Sequence, residues 1–229
     1  MDMAAISAGY YKFLPNREQI TLNVPTGTSQ ALPWNAVTFN SYTVTDVVRR
    51  APQVKEFMAS GGAILSNDLV WLIPEAVMAA LNTTDRPTPG GQIIDAASVE
   101  WTILEIMPRG LFGNTWRVVA RNLAAVFGLT QLATIDRPNT TTDTSGKRNS
   151  AFTNVYANVR CRLQETGGAA EQLHDARTVT RQFNMITTTR LMVMAEDRVT
   201  IGGMLFTITG YQNPDGLANP MTVSLELVS

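Results

Sequence analysis

The 229 residues predict a mainly β protein: two tandem small β-barrel or sandwich domains, each with a short helix. Three observations carry that expectation. Threonine fills 28 positions and asparagine 15, against three lysines; β-branched side chains suit a half-buried pleated surface. Apolar residues make up 45% and charged residues 16%, the balance of a chain with a core. The third observation is internal repetition.

The segment from Ile20 to Arg50 and the segment from Ala133 to Leu163 superpose at one shift, Thr21 on Thr134, Pro25 on Pro138, Phe39 on Phe152 and Arg49 on Arg162. A second shift carries Trp101 onto Phe206, Thr102 onto Thr207, Ile103 onto Ile208, Asn114 onto Asn219 and Val118 onto Val223. The order strand, polar loop, strand, middle segment and closing hairpin therefore occurs twice. It divides the chain into a first domain over 1–123 and a second over 129–229.

In the first domain, strands flank a polar loop over Thr26–Asn35. A helix follows over Pro52–Ser60, and PEAVMAALN reads as another, with Pro74 at its start and Asn82 at its exit. Trp101 and Trp116 fall in strand-like runs and read as core. Ala124–Gly128 reads as a short apolar linker. In the second domain RPNTTTDTSGKRNS, Arg137–Ser150, is a run of fourteen residues with no apolar side chain beyond its proline. It reads as a long exposed loop. Val155, Ala157, Val159, Cys161 and Leu163 alternate with polar residues, the period of a strand with one wet face. AAEQLHDAR is a helix candidate, Gly202-Gly203 the turn of a hairpin, Asn213-Pro-Asp-Gly216 a turn, and Met221–Val228 the last strand.

Composition removes several functions. A net charge of -1 and a pI near 5.9 disfavour a protein built to grip phosphates. One cysteine and one histidine leave no internal disulfide and no Cys/His zinc site. Cys161 reads as a small buried hydrophobe. His174-Asp175 lacks both a nucleophile elbow and a shared direction on a helix, and no phosphate-binding glycine loop is present. The expectation is no enzyme, with no catalytic, cofactor-binding or metal-binding residues. MDMAAISAGYYKFLP has no basic segment ahead of an apolar run, and no stretch reaches the ~18 apolar residues of a membrane helix, so a soluble intracellular product with no membrane contact is expected.

The "VYANVRCRL" strand, Asp197-Arg198-Val199 followed by Gly202-Gly203, then Phe206-Thr207-Ile208, a turn and the closing strand "MTVSLELV" resemble the head–tail connector proteins of tailed bacteriophages, the stopper or head-completion proteins of the neck. The match runs from Ala133 to Val228. The first domain follows as its copy, with Trp101-Thr102-Ile103 but no Gly-Gly pair.

The resemblance implies a structural virion protein, made in the host cytoplasm. It would form a homo-oligomeric ring of six or twelve copies between the portal or adaptor and the tail terminator or tail tube protein. Such a ring lines or gates the DNA channel, with DNA passing close by but not held. Six two-domain chains would present twelve similar domains to a twelvefold portal. The channel or inter-subunit loop would then be Asn139, Thr140, Thr141, Thr142, Asp143, Thr144, Lys147 and Arg148, with Thr26, Thr28, Gln30 and Trp34 as its counterpart. The alternatives are a tail terminator or collar protein and, in another class, a β-rich glycan- or receptor-binding virion module.

Overall fold

The computed structural model describes residues 17–26, 38–81, 83–107, 115–142, 148–173, 176–213 and 219–228. They form two closed six-stranded antiparallel barrels in tandem, one in each of two units that meet between Leu123 and Ala124. The first contains β1 (Arg17–Pro25), β2 (Phe39–Arg50), β3 (Leu69–Pro74), β4 (Gln92–Ile94), β5 (Glu100–Met107) and β6 (Thr115–Arg121), closed in the order β1-β2-β3-β6-β5-β4. The second contains β7 (Gln131–Thr142), β8 (Arg148–Leu173), β9 (Ala176–Thr187), β10 (Arg198–Ile201), β11 (Met204–Gln212) and β12 (Met221–Leu227). Read from β7, its order is β7-β8-β9-β12-β11-β10, the same path strand for strand.

Alternation along each strand builds the two interiors. In the first barrel Ile20, Leu22 and Val24 of β1 meet Val44, Val47, Trp71, Ile73, Ile93, Ile103, Val118 and Ala120. Trp71 is fully buried, and Trp101 packs edge-on against it at 6.0 Å between ring centroids. Trp101 and Trp116 are half-buried and lie against this core. In the second barrel Phe183 and Phe206 form the corresponding aromatic contact at 5.3 Å, among Ile135, Met185, Val199, Ile201, Ile208 and Val223.

The connection from the third to the fourth strand adds apolar side chains to both interiors. In the first barrel it is helical: α2 (Glu75–Ala80) starts after Pro74 and buries Met78. In the second barrel the same connection is irregular and inserts Leu191 and Val193. The preceding connection carries α1 (Val54–Ala59) in the first barrel. Ala124–Gly128, expected to be a linker, is largely a single helical turn, α3 (Leu123–Phe127).

The second of the two repeat shifts survives in the ladder. Ile103 and Glu105 bracket a bulge opposite Ala120 and Val119, and Ile208 and Gly210 bracket one opposite Leu225 and Ser224. Under the first shift, Pro25 faces Phe39 and Pro138 faces Phe152, as superposed. Nearer the barrel that shift slips, because β8 carries an extra residue around Val155. Both hairpins also bulge where a non-glycine residue takes positive φ, Asp46 at 58° on β2 and Asn158 at 57° on β8. The β8 bulge changes which face alternate residues occupy. Val159 and Cys161 point into the core, whereas before the bulge Tyr156 packs inward and Val155 is exposed.

Two expectations are corrected. Arg137–Ser150 is not a loop: β7 runs to Thr142 and β8 starts at Arg148, leaving only 143–147 outside the described residues. AAEQLHDAR is not a helix: β8 continues through Leu173 and β9 begins at Ala176. The second barrel therefore has no helix between its strands among the described residues. A two-stranded ribbon has no buried face and so shows no hydrophobic period, while Ala, Glu, Gln and Leu score as helix formers until strand pairing outweighs propensity. The Gly202-Gly203 hairpin is as expected, with φ of 58° and 82°, the two positive values a tight two-residue turn requires.

Candidate functional site: the hairpin arms

Both barrels send out a hairpin at the same topological place. In the first, Asn23 is the last β1 residue with a partner on β4, Gln92; Val24 and Pro25 then pair with β2 alone. Thr26 extends that hairpin: its N–H donates to the Thr38 carbonyl at 2.8 Å and its Oγ1 to the same oxygen at 3.0 Å. Thr28, Gln30 and Trp34 lie outside the described residues.

In the second barrel Asp136 is the last β7 residue with a lateral partner, Arg198 on β10. Beyond it β7 and β8 continue as a two-stranded arm from Arg137 opposite Thr153 to Thr142 opposite Arg148. The structure thus brings Asn139, Thr140, Thr141, Thr142 and Arg148 onto one ribbon. Asp143, Thr144, Lys147 and His174-Asp175 are outside the described residues.

The base of this arm is clamped. Asp197 is fully buried, and its carboxylate accepts from Arg137 Nε and Nη2, both at 2.9 Å, and from the Met194 N–H at 2.9 Å. Arg137 Nη2 also donates to the Met192 carbonyl at 2.7 Å. The bidentate bond to Asp197 holds the Arg137 pKa above its ordinary value. Beside it the Arg198 guanidinium lies 3.9 Å over the Phe152 ring, a contact worth about 0.5–1 kcal/mol where water reaches it. Asp197 and Arg198 belong to the motif noted in the sequence, but their work of tying the arm root to the β9–β10 connection needs the fold to be seen.

A second arm leaves the other end of β8. Beyond Gln182 opposite Glu226, β12 no longer pairs with β9, and β8 and β9 run on together from Gly167 opposite Gln182 to Leu173 opposite Ala176. Its root is a bulge: Glu165 faces Phe183, Gly167 faces Gln182, and Thr166 Oγ1 donates to the Gln182 carbonyl at 3.2 Å. Gly167 has φ of 151°, at the margin of what a side chain tolerates, and open space around it. Such bulges re-aim a strand at a barrel rim.

The first barrel also has a surface groove of about 420 Å³, lined by Lys55, Glu56, Ser60, Ile64, Glu105, Met107 and Arg117. Its buried carboxylate, Glu56, already holds Arg50 at 2.5 and 2.8 Å, Arg117, and the Gln53 N–H at 2.7 Å. These bonds fasten α1 to the barrel. Among the described residues no cluster of three or more His, Cys, Asp or Glu is placed to hold a metal ion, and no helix is long and apolar enough to cross a membrane.

Compared with known proteins, the chain matches no family model and no curated protein.

Proposed function

We propose that this protein is a structural component of a tailed-phage virion, a homo-oligomeric ring at the neck that joins the DNA-filled head to the tail and lines or gates the DNA channel. The observation that carries the reading is the polar hairpin arm. The β7–β8 arm sits where the connector resemblance puts the channel or subunit-contact loop, it is rooted by the bond of Arg137 to the buried Asp197 carboxylate, and the first barrel has a hairpin at the same place. Two further features fit. Closed barrels expose no sheet edge of their own, which leaves the arms to make contacts. A chain with three lysines and a net charge of -1 does not retain DNA moving past it. The partners are other copies of the chain, a portal or adaptor above, and a tail terminator or tube protein below.

The test is deletion of Thr140–Asn149 in the phage that encodes the protein. The expected result is filled heads that leak DNA or stay tailless in micrographs; normal infectivity would overturn the reading. Averaged images of the assembled ring distinguish six copies from twelve.

A further inference from the structure

Main-chain groups that no strand satisfies are confined, among the described barrel strands of the second unit, to stretches that outrun their neighbours. Both arms are two-stranded ribbons, and such a ribbon is marginal in water by itself. Each has two outer edges. On the β7–β8 arm, the β7 edge contains Pro138, which has no N–H to give, whereas the β8 edge from Arg148 to Thr153 has neither proline nor glycine. On the β8–β9 arm, the β8 edge begins with Gly167-Gly168, whereas the β9 edge from Ala176 to Arg181 is free of both and carries Thr178, Val179 and Thr180. Of the four arm edges, two remain competent, each six residues or about 20 Å long.

These two edges lie toward opposite ends of the same 26-residue strand, β8, one on it and one on its partner β9. A contact joining one end of a molecule to the opposite end of the next leaves a free edge at each end of the pair. It therefore propagates, and closes into a ring when the rotation allows.

We propose that the β8–β9 arm is a self-association element: its β9 edge, Ala176–Arg181, pairs through main-chain hydrogen bonds with the β8 edge, Arg148–Thr153, of a second copy of this chain. The inference deepens the ring reading and rests on its self-assembly part, not on its place in a neck.

Full-length protein is measured by light scattering and native mass spectrometry beside a variant in which Thr166–Arg181 is replaced by Asn-Gly. That two-residue turn joins Glu165 to Gln182, at the rim where Glu165 already faces Phe183. The full chain forms multimers, and the armless chain, with an unchanged thermal melt, associates at least ~100-fold more weakly. A monomeric full chain at micromolar concentration, or an armless chain with the same assembly, overturns the proposal. The partner edge is tested by Val179→Cys combined in turn with Asn149→Cys, Ala151→Cys and Thr153→Cys. The native Cys161 is fully buried and its thiol is pushed up to about 11 by burial, so it does not compete. Oxidation yields a ladder of covalent multimers from at least one double variant and none from Val179→Cys alone. No ladder from any of the three overturns the assigned edge. Arm-dependent multimers from a protein that fails to join heads to tails would sink the neck reading and leave this inference standing. Arm-independent rings that do join them would do the reverse.

Discussion

Glu56 is the strongest single handle on the first barrel. Bonds from Arg50, then the Gln53 N–H and Arg117, outweigh the opposing effect of burial and lower its pKa from 4.5 to about 2. Each pKa unit corresponds to about 1.4 kcal/mol, so the ionised carboxylate contributes on the order of 3 kcal/mol to folding. Because the folded-state value is depressed, that contribution is complete above the ordinary carboxylate value. It is lost as the pH falls from there through about 2. Glu56→Gln keeps the shape and removes the charge. The side chains of Arg50 and Arg117 are 26% and 25% exposed and can take up water when released. The expected loss at pH 7 is therefore about 2–3 kcal/mol, at or below the low end for breaking a buried ion pair. Tryptophan fluorescence in a Trp34→Phe background isolates the event, since the three tryptophans left, Trp71, Trp101 and Trp116, all lie in the first barrel. Urea unfolding of both proteins at pH 7, 4 and 2 should show the difference shrinking toward zero at pH 2. A difference below ~1 kcal/mol at pH 7, or one as large at pH 2 as at pH 7, would refute the assignment.

Three other outcomes follow from the packing. Gly91→Ala should destabilise the first barrel by about 1–3 kcal/mol in the same fluorescence assay, because the added methyl meets backbone oxygens of Asn23 at 2.9 Å and Thr88 at 3.0 Å. Cys161 should resist a thiol reagent at pH 8 in the native protein and react fully in 6 M guanidinium; rapid native labelling would contradict its burial. Asn158→Val should cost the second barrel about 1–2 kcal/mol in a calorimetric melt while Asn158→Gly stays close to wild type, since only the former strains a residue at φ 57°.

The barrels themselves were legible because their inward faces repeat with period two and their hairpins recur in order. Trp101 with Ile103, and Phe206 with Ile208, announce the same strand twice, and the bulges beside them coincide. Closure into barrels was one of two open architectures, since inward alternation is common to a sandwich and a barrel. The arms were misread for a physical reason. Thr140, Thr141 and Thr142 pair with β8 alone, and in the sequence their strand character shows only as β-branching, while the same polarity describes a loop. The stretch around Glu171, Gln172 and Leu173 favours a helix locally and is extended by pairing with Thr178, Arg177 and Ala176 of β9. Asp197 was noted as part of a motif, but its burial and its grip on Arg137 depend on a contact sixty residues distant.

The two barrels differ most where their second and third strands connect, and the outer faces account for it. On the first barrel Val70 faces Val119 on the outside of the wall, at 0% and 1% exposure, and with Met107 they need a cover. The α1 segment supplies it: Phe57 and Ile64 pack on them, and Glu56 fastens the helix down. Leaving such side chains in water would forfeit about 1.5–3 kcal/mol each. At the same place on the second barrel Asn184 faces Ser224, their side chains 3.4 Å apart across the strands. That face is already polar and gives a covering segment nothing to bury. The connection is therefore free to leave the barrel, and it does so as the β8–β9 arm. One repeat spends this connection on its own wall, and the other holds it out where another chain can reach it.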